Sequence, residues 1–176
     1  MPRRVAINAS PLIYLAKVSL LEFLRRIYDE VLTTRLVISE CVDKGKKAGY
    51  EDALLIEKLV KEGLIRIIEL DEKAKIMAKK LARETRIHIG EATVILLAKD
   101  ENIEEILVDD KRARRIAKLH GLKPRAMLSI ILEFVTRHMI SIEDAEKYIK
   151  KLIDEGFRVG IEVYNRVLEA LKSLKN

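Results

Sequence analysis

Short apolar runs alternate along the chain with longer stretches in which apolar residues recur every three or four positions. The first run, Val5-Ala6-Ile7, stops at Asn8-Ala9-Ser10-Pro11. Ser10 is expected to cap the helix that follows, with Pro11 in its first turn, where a missing N–H costs nothing. That helix covers Leu12 to Arg26 with a break near Val18-Ser19, and Val31-Leu32-Thr33 reads as a second strand. Helices are expected over 35 to 43 and 51 to 62, separated by the polar Lys44-Gly45-Lys46-Lys47, and Gly63 ends the second of them.

A third strand is expected over 65 to 70. Asp71 then caps a helix to about Arg86, and Gly90 opens another that runs through Lys99. Ile106-Leu107-Val108 forms a fourth strand ending in Asp109-Asp110, a helix from Lys111 to His120 stops at Gly121, and a short strand falls within 122 to 126. Three amphipathic helices follow over 127 to 138, 142 to 154 and 161 to 174. Strands alternating with helices predict βαβ units and a mainly parallel sheet. The expected division is an α/β domain over 1 to 139 and a helical extension over 140 to 176 packed on the same domain. No repeat, low-complexity tract or linker interrupts the pattern.

Composition narrows the class. With 176 residues and 49% hydrophobic content the chain can bury one substantial core. No stretch approaches the roughly 20 apolar residues of a membrane span, and the first residues lack the apolar run of a signal peptide, so a soluble, cytoplasmic protein with no membrane partner is expected. A single cysteine, Cys41, forms no intramolecular disulfide, and no Cys/His cluster has zinc-ligand spacing. The net charge of +6 permits an anionic partner without demanding one. A 35% charged content without glutamine suggests a thermophilic source.

In open parallel sheets the functional crevice lies beyond the carboxyl ends of the strands, so the polar residues that follow apolar strands are the ones to inspect. Asn8 and Ser10 follow the first strand, and Asp109 and Asp110 the fourth. Glu40, on the helix after the second strand, and Glu91, beside Gly90, are placed to project toward the same end. Oxygen-only donors of this kind suit Mg²⁺ or Mn²⁺. An ion held there would activate a water and neutralise charge developing on a phosphodiester. For Glu40 or Glu91 taken alone, a solvated helix surface is the commoner fate of a glutamate.

Three motifs change that balance: Ile7-Asn8-Ala9-Ser10-Pro11-Leu12-Ile13, Gly90-Glu91-Ala92 opening a helix, and Leu107-Val108-Asp109-Asp110-Lys111-Arg112-Ala113-Arg114 after a late strand. Together with the tail from Gly156-Phe157-Arg158-Val159 to Val163-Tyr164-Asn165-Arg166-Val167-Leu168, they resemble the PIN-domain superfamily, in its branch of uncharacterised prokaryotic proteins described as predicted nucleic-acid-binding proteins. The resemblance spans nearly the whole chain. It implies a three-layer α/β/α fold with a mainly parallel central sheet and a helical carboxyl-terminal extension. It also implies an acidic site that holds Mg²⁺ or Mn²⁺ and cleaves single-stranded RNA, and, as in many members, a homodimer or an antitoxin-like partner.

Carried over by position, the resemblance places Glu40, Glu91 and Asp110 in the catalytic acidic set, Asp109 as an additional metal ligand, and Ser10 as the small hydroxyl residue that orients a ligand or a metal-bound water. Asn8 stands where the family has its first aspartate. Its amide oxygen can coordinate a hard cation but brings no charge, so metal affinity is expected to fall. Two functions therefore stand side by side: a divalent-metal-dependent ribonuclease attenuated at Asn8, and a PIN-like binding or interaction module with weak or absent catalysis.

Lys111, Arg112, Arg114 and Arg115 begin directly after the acidic pair, where they would hold RNA phosphates; the bland reading is a solvated helix face. His88, His120 and His138 share no metal-ligand or triad spacing and receive no role. Neither GxxxxGK[ST] nor GxGxxG occurs, which leaves nucleotide binding of those kinds without support.

Overall fold

The carboxyl ends of five parallel strands gather the chain's polar turns along one edge. In the computed structural model, which describes residues 1 to 175, the strands are β1 (Arg4–Ile7), β2 (Glu30–Thr34), β3 (Ile65–Ile68), β4 (Glu105–Leu107) and β5 (Lys123–Arg125). Their order is β3-β2-β1-β4-β5, with every pairing parallel. The chain steps outward from β1 to β2 and β3, then returns to the other side of β1 for β4. The strand order thus reverses between β1 and β4, and at such a reversal the two flanking connections leave for opposite faces and open a crevice. The Asn8 N–H donates to the Leu107 carbonyl at 3.1 Å and ties the two strand ends together there.

Right-handed crossovers put the helices of the outward steps on one face and those of the return on the other, which gives three α/β/α layers. On the first face α1 (Ala9–Lys17) packs on α4 (Glu51–Lys61). On the second, α6 (Ile89–Asp100) lies against β1, β2 and β4, flanked by α5 (Glu72–Thr85) and α7 (Lys111–Leu119). Every residue from Gly90 to Ala98 is buried, as expected of a helix that is apolar nearly all round.

Three local differences from the sequence expectation bear on the site. Helix α1 starts one residue before Ser10, so Asn8 and not Ser10 is its N-cap, and the Asn8 side chain makes no capping bond. Pro11 occupies the third helical position and has no N–H, which removes one of the two donors such a cap ordinarily serves. After α2 (Arg35–Ile38) the helix widens into a π-type turn over Ser39–Asp43 that carries Glu40, then continues as α3 (Lys44–Lys47), so the lysine-rich stretch expected as a separator is helical. The break at Val18-Ser19 is present; the following segment, Leu21–Arg26, is a 3₁₀ helix.

The contacts divide the chain into two compact units, Met1–Arg125 and the residues from Ala126 onward. The second unit comprises α8 (Met127–Thr136), α9 (Ile142–Asp154) and α10 (Ile161–Ser173), with α8 packed against both α9 and α10. Ser141 caps α9 by accepting the Asp144 N–H at 3.0 Å. Among the described residues no helix is long and apolar enough to cross a membrane.

Candidate functional site

Asn8 ends β1 with its backbone extended, and its side chain is only 6% exposed. Its Oδ1 is the one buried side-chain polar atom among the described residues without a hydrogen-bond partner. An unpaired buried acceptor costs about 1–3 kcal/mol, so its persistence at a strand end calls for a donor or a cation in that space.

The space lies above Gly90. A Cβ built on Gly90 would stand 3.2 Å from Glu40 Oε2, 3.2 Å from His88 Nδ1 and 3.5 Å from Asn8 Oδ1. Three acceptors from three segments thus converge on one point that only glycine leaves open. Gly90 itself is fixed from both sides: His88 Nδ1 accepts its N–H at 3.1 Å, and the Thr93 hydroxyl donates to its carbonyl at 2.7 Å. The Thr93 and Thr34 hydroxyls, 3.0 Å apart, link this turn to the end of β2.

Glu91 is buried and closes the reciprocal half of a capping box, its Oε2 accepting the His88 backbone N–H at 2.9 Å. Burial, reinforced by the charges of Asp110 and Glu40 and opposed by that N–H, pushes its carboxyl above the usual range. Asp110 caps α7 by accepting the Ala113 N–H at 2.8 Å. Ser10 donates to Asp109 Oδ2 at 3.3 Å, which holds the ends of β1 and β4 together through their side chains as well. His88 Nδ1 lies 3.8 Å from Glu40 Oε1.

The acidic residues chosen from the sequence therefore share one neighbourhood, but they do not close on a common point. Among the described residues no three His, Cys, Asp or Glu side chains are placed to hold a metal ion. Glu91 and Asp110 each commit an oxygen to a helix cap, and Asn8 Oδ1 with Glu40 Oε2 leaves two donors over Gly90. Two protein donors fit an ion that keeps most of its water and do not make a closed metal centre. Cys41, beside Glu40, takes no part: burial, then the charges of Glu40 and Asp52, push its thiol up to about 12.

Adjoining the acids is a cleft of about 560 Å³ lined by Arg86, Ile87, His88, Glu91, Asp110, Lys111, Arg112 and Arg115. Of the four basic residues expected to meet phosphate, Lys111, Arg112 and Arg115 line this cleft. Arg114 turns back, its NH1 donating to the Asp109 carbonyl at 2.6 Å. Arg86 and His88 are additions that sequence reasoning missed. Arg86 ends α5 in the left-handed conformation (φ 57°), and its carbonyl accepts from Arg112 NH1 at 3.2 Å. The signal for His88 is its position two residues before a glycine that opens a helix, a capping pattern and not a metal spacing.

Among solved structures, the crystal structure of PAE2754 from Pyrobaculum aerophilum is similar in fold, with a TM-score of 0.50 at 17% identity, over 70% of this chain and 92% of that one. No curated protein matches the chain. A family model described as a PIN domain matches residues 4 to 173. With that match running from β1 to the last helix and the acids placed at the strand-order reversal, the chain belongs to the PIN-domain family.

Proposed function

We propose that this protein is a PIN-family nucleic-acid-binding module that engages single-stranded RNA through its basic cleft and cleaves it weakly or not at all. The observation that carries this reading is the pairing of a cleft lined by four cations with a neighbouring acidic set that, among the described residues, does not close on a metal. Arg86, Lys111, Arg112 and Arg115 give the phosphate backbone four positive partners, and guanidinium groups suit phosphate oxygens in particular. Among the described residues the cleft lining carries four cations and no Phe, Tyr or Trp, which favours contact with the phosphate backbone.

A second reading, a metal-dependent ribonuclease, is supported by the unpaired Oδ1 of Asn8 and the opening over Gly90. Mg²⁺ or Mn²⁺ there would supply a water of lowered pKa and charge neutralisation at the phosphate. Asn8, Glu40, Glu91, Asp109 and Asp110 are the residues of this chain that would offer it oxygen, Asn8 and Glu40 from beside Gly90.

Binding and cleavage of a labelled single-stranded RNA, measured with chelator and with Mg²⁺ or Mn²⁺, decide between the two. The binding module retains RNA in chelator and cuts it slowly, if at all, with metal, and Asn8→Asp raises cutting whereas Asp110→Asn does not. Rapid cutting by the native chain, abolished by Asp110→Asn, establishes the ribonuclease instead. Absence of RNA binding under every condition overturns both.

A further inference from the structure

His88 is a cleft residue whose chemistry the family pattern leaves unassigned, and its hydrogen bonding determines what it can offer. Nδ1 lies 3.8 Å from Glu40 Oε1 but accepts the Gly90 N–H at the closer distance of 3.1 Å, and an acceptor nitrogen carries no proton. In the neutral ring the proton therefore sits on Nε2. The residue lines the cleft shared with Arg86, Arg112 and Arg115, and its side chain is 61% exposed. The backbone turn around it is held by the Glu91 carboxylate, by Thr93 and by the buried core of α6, so the ring stands on a rigid mount. Beside it Asn8 Oδ1, buried and without a hydrogen-bond partner among the described residues, lies 3.5 Å from where a Gly90 Cβ would stand.

We infer that His88 is a nucleic-acid-contacting residue whose Nε2–H, fixed as the protonated nitrogen by the Gly90 N–H, donates a hydrogen bond to a phosphate oxygen of RNA in the cleft. The inference rests on the reading of the cleft as a nucleic-acid site and adds to it a neutral donor among cations. The two kinds of contact differ in one measurable respect. Each cation lost lowers the salt dependence of single-strand binding by about 0.7 in the log–log slope, whereas loss of a neutral donor leaves the slope unchanged.

His88→Asn tests this, because an asparagine oxygen still accepts the Gly90 N–H and is a favoured N-cap, while the side chain is too short to reach as the imidazole does. Binding of a fluorescein-labelled oligouridylate is followed by anisotropy over a series of salt concentrations in chelator. The expected result is a melting temperature close to the native one, affinity about tenfold weaker as for a lost hydrogen bond to a charged group, and an unchanged slope. Native affinity in His88→Asn overturns the inference and leaves the RNA-binding reading standing. A slope that falls together with affinity also overturns it, because the ring would then be acting as a cation. Failure of the native protein to bind the oligouridylate overturns the RNA-binding reading and the inference with it. Imidazole ¹⁵N spectra of the native chain at mildly alkaline pH give a check that needs no variant. His88 should carry its proton on Nε2, with that resonance shifting on addition of oligouridylate, and a ring protonated on Nδ1 refutes the assignment.

Discussion

Asn8 Oδ1 and Glu40 Oε2 flank the same point above Gly90, 3.5 and 3.2 Å from where its Cβ would stand. Gly90→Ala therefore places a methyl group between these two oxygens and against His88 Nδ1, which stands 3.2 Å from the same point. The carboxylate ends a flexible side chain and can yield a few tenths of an ångström, and alanine favours a helix over glycine by about 0.5–1 kcal/mol. The variant should fold with stability within about 1 kcal/mol of native. Any rise in melting temperature that Mn²⁺ gives the native protein should disappear. A Mn²⁺ response of undiminished size would place the ion elsewhere.

Asn8→Asp puts a carboxylate at a position 6% exposed, in the neighbourhood where Asp110 and Glu40 already raise the Glu91 carboxyl. Like charges and burial both oppose its ionisation. In chelator the variant should lose about 1–2 kcal/mol relative to native. Mg²⁺ or Mn²⁺ should restore that stability and raise its melting temperature more than the native one, since a ligand that binds the folded state stabilises it. Thermal melts of both proteins, with and without metal, check the crossover; equal metal responses would deny Asn8 a place at the ion.

Much of this site is legible in the sequence because each functional turn follows an apolar run that must be a strand. Val5-Ala6-Ile7 and Ile106-Leu107 lie side by side as β1 and β4, which brings Asn8, Ser10, Asp109 and Asp110 together as a parallel sheet requires. The parts that are not legible depend on tertiary packing or on unusual backbone. The wide turn that aims Glu40 is indistinguishable by hydrophobic period from an ordinary helix. The cap made by His88 depends on a ring orientation that periodicity does not encode, and Arg86 in a left-handed conformation carries no sign in a sequence where glycine or asparagine would announce it. The lysine-rich stretch reads as a separator because its composition is that of a loop, yet the helix continues through it from the π-type turn.

At the opposite end of the sheet, Glu105 receives Arg3 Nε at 2.9 Å and the Tyr28 hydroxyl at 2.9 Å, with Arg125 NH1 at 3.6 Å. Burial alone would raise its carboxyl, but the bonds from Arg3 and Tyr28 and the charges of Arg3 and Arg125 outweigh it and hold the group below the usual range. A depressed carboxylate pKa contributes stability above the unfolded-state value of 4.5, and that stability is lost as pH falls through the folded value. Glu105→Gln should cost about 2 kcal/mol at neutral pH, between an exposed ion pair and a fully buried one. The gap to native should narrow as pH falls below about 4.5, which denaturant titrations at several pH values would detect. A gap that widens toward acid pH would mean that the folded protein raises this carboxyl instead of lowering it.

Arg86 occupies the left-handed region at φ 57° and ψ 34°, at the end of α5, where glycine would be unstrained. A non-glycine residue in that conformation costs about 1 kcal/mol, and such a cost persists where the side chain has another role. Here the side chain lines the basic cleft while its carbonyl receives Arg112, a bond that glycine would keep. Arg86→Gly should therefore raise stability by up to about 1 kcal/mol and at the same time weaken RNA binding. The salt slope of binding should fall by about 0.7, as for one phosphate contact removed. Paired measurement of the melting temperature and of the slope separates this from a purely structural role: a stabilised variant with native RNA affinity would mean that Arg86 ends a helix and nothing more, and the cleft would then rely on Lys111, Arg112 and Arg115 alone.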